Sequence, residues 1–495
     1  MTRREWLSVA AMPQALVNIR KYGARGRGAG LESPAIQKAI DAAAAGGGGT
    51  VYIPAGRYVC GSIRLQSGVS VWIGNGAALE MSSQENDFSV PEQLGYNPRS
   101  DAETSVFHRS LFFGDNLRDI AIYGEGRIDC RREKRGGPKP IALRRCANVA
   151  IRDITIEKAP AYNISLLGCD FVVIDGVTIR NGFSDGIDPD CCRNVRISNC
   201  FVESVDDAIV LKASPALGER RSTEHVTVTN CVLRTASLFL KCGTESTGDF
   251  RNIAFSNCTL IGGMGDRHGN PGIGLYTVDG GTLEGVAISN ITMHNVGIPF
   301  ALRRGARGRG QTEPKPGPLR DVVISNVVAT GARRTSVIAG LPGAPVEGVM
   351  LSDVRIAIGE TMDGPAEPSV VPEKPAAYPD PTMFGPLPAS GLYVRHADAV
   401  TLRGVEIRPH PADSRAAMLA DDVRNLRGYA VHTGRVRLHN VRRASWLDYE
   451  CLSEGSSATV SGKETEGIVF RNAGDSGPES IQVEPEVSSS AVRRW

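Results

Sequence analysis

Val195-Arg-Ile197-Ser-Asn199-Cys200, Val226-Thr-Val228-Thr-Asn230-Cys231 and Ile253-Ala-Phe255-Ser-Asn257-Cys258 are three copies of one phrase. Aliphatic and polar residues alternate, then an asparagine precedes a small apolar residue. Period-two alternation marks a strand with one buried face. Looser copies begin at Val149, Val172, Val286, Val322, Val349 and Val400, with an earlier one at Ile120 and a weak one at Val436. A strand of about five residues cannot bury its own apolar face, so copies recurring roughly every two to three dozen residues must stack on one another. The rest of each repeat accommodates two more short strands and their turns. The expected fold is all-β, a right-handed parallel β-helix. Asn199, Asn230, Asn257, Asn290 and Asn326 suit the bend after each strand, because Asn tolerates left-handed backbone, and they should stack as a ladder.

The composition agrees. Glycine, 56 of 495 residues, exceeds the usual share of about 7%, and aromatics are only 6%. Many tight turns around small aliphatic layers are implied. With 56 Lys+Arg against 54 Asp+Glu, the charge balance gives no support for a nucleic-acid partner. No apolar run approaches the ~18 residues of a membrane span. The 11 cysteines contain no CxxC pair, so a structural zinc site is not expected. Cys200, Cys231 and Cys258 share one phase of the repeat and read as small buried hydrophobes rather than a disulfide framework.

Three segments follow. Residues 1–17 carry Arg3-Arg4 before a modest apolar stretch and resemble a twin-arginine export signal, which would place the chain in the periplasm or outside the cell. Residues 18–445 should form one β-helix domain, and 446–495 a C-terminal extension with a loose end. Within the domain, Ser33 and Pro34 read as N-cap and first position of a helix over 33–45, whose Ile36, Ala39, Ile40 and Ala43 make an apolar face. This helix should cover the open N-terminal end of the solenoid. Between Gly364 and Gly391 lie eight prolines, too many for a sheet interior. That excursion should be a long surface loop, either tethered with no ligand role or forming a wall of the binding groove, with Tyr378 and Phe384 as the candidates for contacting a sugar.

Two acidic clusters sit one coil apart: Ser184-Asp185-Gly186-Ile187-Asp188-Pro189-Asp190 and Ser204-Val205-Asp206-Asp207-Ala208. Asp185 stands thirteen residues beyond Val172; Asp206 and Asp207 stand eleven and twelve beyond Val195. Equal phase on adjacent coils brings them side by side at the ~4.8 Å strand spacing. Such crowding should raise a pKa and suits glycoside hydrolysis, in which one carboxylic acid protonates the leaving oxygen and another carboxylate activates water. The alternatives are turn aspartates accepting backbone N–H bonds, or a cation site.

These residues give the chain a family likeness. Tyr22-Gly23-Ala24, Ala35–Ile40, Gly46–Gly49, Ile53–Tyr58 and Gly76–Leu79 resemble the N-terminal signature of glycoside hydrolase family 28, the polygalacturonase family. Ser184-Asp185-Gly186 resembles its Asn-Thr-Asp motif and Asp206-Asp207 its Asp-Asp motif. The resemblance implies an inverting hydrolase of pectic or related uronate- or rhamnose-containing glycans. It implies Asp206 as general acid, with Asp185 and Asp207 holding the water between carboxyls about 6.5–9.5 Å apart. It implies neither metal nor cofactor. Leu238 stands where the family has a histidine, and Gly274-Leu275-Tyr276 where it has Arg-Ile-Lys. Lys212, Lys241, Glu245, Arg303, His268 and Tyr276 are therefore the candidates for contacting substrate. Exo action is expected if the Pro-rich excursion and the 261–271 insertion block one end of the cleft. A polysaccharide lyase with a calcium site, or a non-catalytic glycan-binding β-helix, are the competing readings.

Overall fold

A computed structural model describes residues 15–264, 271–360, 370–453, 456–471 and 480–494. The chain winds as a parallel β-helix. Every strand pairing is parallel among the described residues, apart from one isolated bridge between Leu341 and Ala344. Three files of strands run along the winding. The first file carries the repeated phrase, and its register joins Ile120, Val149, Val172, Val195, Val226, Ile253, Val286, Val322, Val349 and Val400 from coil to coil. The weak copy at Val436 belongs elsewhere. It pairs with Met418, which pairs with Leu392, and so lies in the third file.

The five ladder asparagines all have positive φ, from 52° to 58°. Amide-to-amide bonds join Asn230 to Asn199, Asn290 to Asn257 and Asn326 to Asn290. The ladder is interrupted once, where Asn257 donates to Thr229 Oγ1 instead. Inside the winding, Cys200, Cys231 and Cys258 are buried in one row, and Cys146, Cys169 and Cys192 join the same core. Cys191 faces out, packed against Phe107 and Leu217. All 11 cysteines are free.

The helix spans Ser33–Ala45, but its N-cap is Glu32, not Ser33. The Glu32 carboxylate accepts from the backbone N–H groups of Arg25 and Gly26, while Ser33 Oγ accepts from Gly61 N. Ile36, Ala39, Ile40 and Ala43 enter the same apolar core as the first coils. No helix among the described residues is long and apolar enough to cross a membrane. The winding does not stop at residue 445. Arg442–Cys451, Glu466–Arg471 and Val492–Arg494 continue one parallel file, and Ala458–Ser461 and Ile481–Val483 another. In these last coils Trp446 stacks on Phe470 and meets Tyr449 edge-on, beside small aliphatics such as Val460 and Ile468.

The third file sets up the site. It comprises Lys139–Arg144, Ile164–Leu167, Ile187–Asp190, Ile209–Ala213, Leu240–Ser246, Ile273–Thr277, Phe300–Arg304 and Ser336–Ala339. Inward residues such as Ile187, Ile209, Leu240 and Ile273 fill the core. Outward ones form the floor of a groove. The turns that enter this file carry the elaborations: 130–138 and 370–388 both fall there, as do the two acidic clusters.

Candidate active site

Asp185 and Asp207 each sit two residues ahead of a third-file strand, and the pairing of Ile187 with Ile209 puts them at one position on adjacent coils. Gly186 N donates to Asp207 O at 2.8 Å across the step. One carboxylate oxygen from each of Asp185, Asp206 and Asp207 lies within 4.8 Å of the others. This is closer than the separation expected from the inverting template, because the coil spacing itself sets the distance and the side chains converge instead of diverging.

Two lysines neutralise the crowding. Lys212 Nζ lies 2.9 Å from Asp185 Oδ2 and 2.8 Å from Asp188 Oδ1, over the ring of Tyr162. Lys241 Nζ lies 2.7 Å from Asp207 Oδ2 and 3.5 Å from the hydroxyl of Tyr378. Burial opposes both ammonium charges, but Asp185 and Asp188 around Lys212, and Asp207 beside Lys241, outweigh it and hold them protonated. The other Asp207 oxygen accepts from Ser237 Oγ and Leu238 N.

The carboxyls differ in proton affinity. Burial, opposed by Lys212 and reinforced by Asp188, Asp207 and Asp206, pushes Asp185 well above the carboxylate range. Burial likewise brings Asp188 up to about 6. Asp206 moves the other way. Burial would raise it, but Arg135 above all, with Lys241 and Lys212, holds it below its ordinary value. Arg135 Nη1 lies 2.5 Å from Asp206 Oδ2, and its Nη2 lies 2.6 Å from Glu103. Glu103 in turn accepts from Ser184 Oγ at 2.6 Å. Asp206 alone of the three is reachable from solvent, 31% exposed at its side chain.

Segments tied down by hydrogen bonds flank the trio on two sides. On one side, Thr104 approaches Tyr162, Glu92 pairs with Arg144, and Tyr96 donates to Ala216 O. On the other, the Pro-rich excursion crosses the third file: Ala306 N donates to Pro375 O, and Arg303 donates to Glu373 O and Gly340 O. A lateral tie runs from Arg99 to Gly310 O.

Residues 114–371 match the family described as Glycosyl hydrolases family 28. The chain belongs to that family. It is 25% identical to a probable polygalacturonase of Vitis vinifera over 68% of this chain and 73% of that one. It is 24% identical to an exopolygalacturonase of Platanus acerifolia, over 69% and 90%. Among solved structures, a Yersinia enterocolitica family 28 exopolygalacturonase superposes with a TM-score of 0.63 at 17% identity, covering 84% of this chain and 78% of the other. A hyperthermoactive exopolygalacturonase from Thermotoga maritima gives 0.59 at 21% identity, over 71% and 89%. This family 28 chain is thus a glycoside hydrolase on a polygalacturonase-type β-helix.

The expected contact residues fare unequally. Lys212 and Lys241 meet the carboxylates directly. Glu245 pairs with Arg309 at 2.8 Å. Burial would raise it, but Lys212, Lys241, Arg307 and Arg309 outweigh that and bring it down to about 2. Tyr276 is buried beside Leu238 and Ala301, and its hydroxyl has no hydrogen-bond partner among the described residues. Arg303 does not face the groove. It is 3% exposed, both terminal nitrogens serve carbonyls, and the ring of Phe384 lies beneath its guanidinium. Its work is to anchor the excursion, so the expected sugar contacts of Arg303 and Phe384 are replaced by a loop tether. Tyr378, half exposed, does face Lys241. His268 and the Arg3-Arg4 signal lie outside the described residues. Sequence reasoning missed Arg135 and Glu103. The signal for Arg135 was its phase: it stands in the turn into the third file, two coils before Asp185.

Proposed function

We propose that this family 28 hydrolase releases terminal residues from uronate-bearing glycans of the pectic type, with inversion. The carrying observation is the trio of Asp185, Asp206 and Asp207, with oxygens within 4.8 Å of one another; inversion is taken from the family resemblance and not from this spacing. Segments flanking the trio on two sides suit a chain end better than a chain middle. The exopolygalacturonase names of two relatives accord with that reading.

In this reading Asp206, outermost of the three, donates its proton to the leaving oxygen. Asp185 and Asp207 hold and activate the water. Lys212 and Lys241 keep the buried anions apart. Tyr276, Tyr378 and Glu245 line the sugar subsite. The helix Ser33–Ala45 is read as the cap over the first coil, and the export signal as the route out of the cytoplasm. The lyase reading is disfavoured because it needs a neutral base, and both groove lysines are held as ammonium ions by their aspartates.

Product analysis tests the proposal. A de-esterified pectic oligosaccharide should be shortened from one end, and NMR should detect the inverted anomer first. Random internal cleavage would overturn the exo assignment. A retained anomer would overturn inversion, and an unsaturated uronate product would overturn hydrolysis.

A further inference from the structure

Arg135 occupies an unusual post. Its guanidinium sits on the one solvent-reachable carboxyl of the trio, where a leaving oxygen has to approach. Its side chain is 49% exposed, and it is carried by a turn whose Gly136 N is fixed to Pro160 O at 2.7 Å. Nε and Nη2 are held by Glu103 at 3.2 and 2.6 Å, so only Nη1 is committed to Asp206. The guanidinium can therefore exchange one partner and keep the other. The positions of the family's Arg-Ile-Lys are filled by Gly274, Leu275 and Tyr276, which offer no cation.

We infer that Arg135 is the uronate-recognising residue of this site and that a substrate carboxylate draws it off Asp206, arming Asp206 as the acid only when an acidic sugar is bound. The inference rests on the assignment of Asp206 as proton donor under Proposed function. The exchange is balanced: one N–H···O contact to Asp206 is replaced by one to the substrate carboxylate, and Asp206 takes one proton from solvent. Glu103, fixed by Ser184, is the positioning residue that keeps Arg135 within reach of both partners. In the free protein the ordering of the carboxyls is unfavourable for catalysis, with Asp185 holding a proton more tightly than Asp206. The groups facing Asp206 are Arg135, Lys241 and Lys212 as cations and Asp185 and Asp207 as anions. Of the cations, Arg135 is the exposed one, since both lysines are buried.

The test compares wild type, Arg135→Gln and Arg135→Lys on a uronate oligosaccharide and on its carboxyl methyl ester. Wild type should prefer the free acid. In Arg135→Gln that preference should shrink by about 10- to 100-fold, the worth of a hydrogen bond to a charged group, and Arg135→Lys should restore part of it. The pH profiles give a second readout, because kcat/KM reports the free enzyme and kcat the complex. For wild type the alkaline limb of kcat should lie about one pH unit or more above that of kcat/KM, and in Arg135→Gln the two limbs should coincide. A wild-type-like preference and limb separation in Arg135→Gln would overturn the inference alone. Wild type inert on every uronate glycan would overturn the hydrolase reading, and the inference with it.

Discussion

Lys241 and Asp207 stand 34 residues apart in sequence, yet the ammonium nitrogen lies 2.7 Å from the carboxylate because one coil returns the chain to the same corner. Both side chains are nearly sealed from solvent, 3% and 6% exposed. Removing one partner leaves the other charge buried and unpaired. Lys241→Met should therefore cost about 3–5 kcal/mol of stability. Adding Asp207→Asn should return much of that loss in a denaturation measurement while turnover stays abolished.

Asp185, Asp206 and Asp207 should separate by role. Each asparagine variant is expected to lose about 10²–10⁴-fold in turnover on a natural glycan. On an aryl uronide whose phenol leaves unaided, Asp206→Asn should recover much of its rate, whereas Asp185→Asn should not. Equal recovery in both would contradict Asp206 as the acid.

Asp188 carries a pH signature. Its folded pKa is about 6, against about 3.9 for an unfolded chain. Between those values the native state binds the extra proton, so this group's contribution to stability is present below pH ~4 and is lost as pH rises to about 6. Asp188→Asn removes that slope. Its melting temperature should gain on wild type from pH 4 to pH 7, by an amount equivalent to about 2–3 kcal/mol. Lys212 keeps Asp185 as a partner in this variant.

Arg303→Ala should act through the excursion. Losing the bonds to Gly340 O and Glu373 O frees the segment bearing Tyr378. Limited proteolysis within residues 370–388 should accelerate, and KM should rise several-fold. A change in the pH profile with no change in proteolysis would point to a direct substrate contact instead.

The asparagine corner is testable as well. Asn257 has φ +54°, accepts from Asn290 at 3.0 Å and donates to Thr229. Asn257→Ala should cost about 1–2 kcal/mol, while Asn257→Gly should cost less, because glycine relieves the backbone strain that alanine keeps. Thermal melts check the order.

The phrase around Val195 carried the register of the first file from coil to coil, since aliphatic alternation and the bend-forming Asn are local signals. The phase of the acidic clusters likewise placed Asp185, Asp206 and Asp207 together. The final coils were not legible, because bulky Trp446, Tyr449 and Phe470 interrupt the small-aliphatic spacing that marked the others. Val436 misled for a related reason: third-file strands alternate in the same way as first-file ones. The Arg135–Asp206 contact was hidden because a long side chain on a glycine-rich turn can reach in several directions. Arg303 looked like a ligand for a sugar because nothing in its own neighbourhood reveals the carbonyls of a segment some seventy residues away.

The files of thiols along the interior have a consequence for where such a molecule can be assembled. Ten of the eleven cysteines are buried, and burial pushes Cys169 and Cys191 far from the thiolate form that oxidants attack. Neighbouring thiols on successive coils are therefore poor targets for oxidants. The scaffold asks nothing of an oxidising folding factory, and its architecture should be the same whether it matures among cellular reductants or in air-exposed fluid.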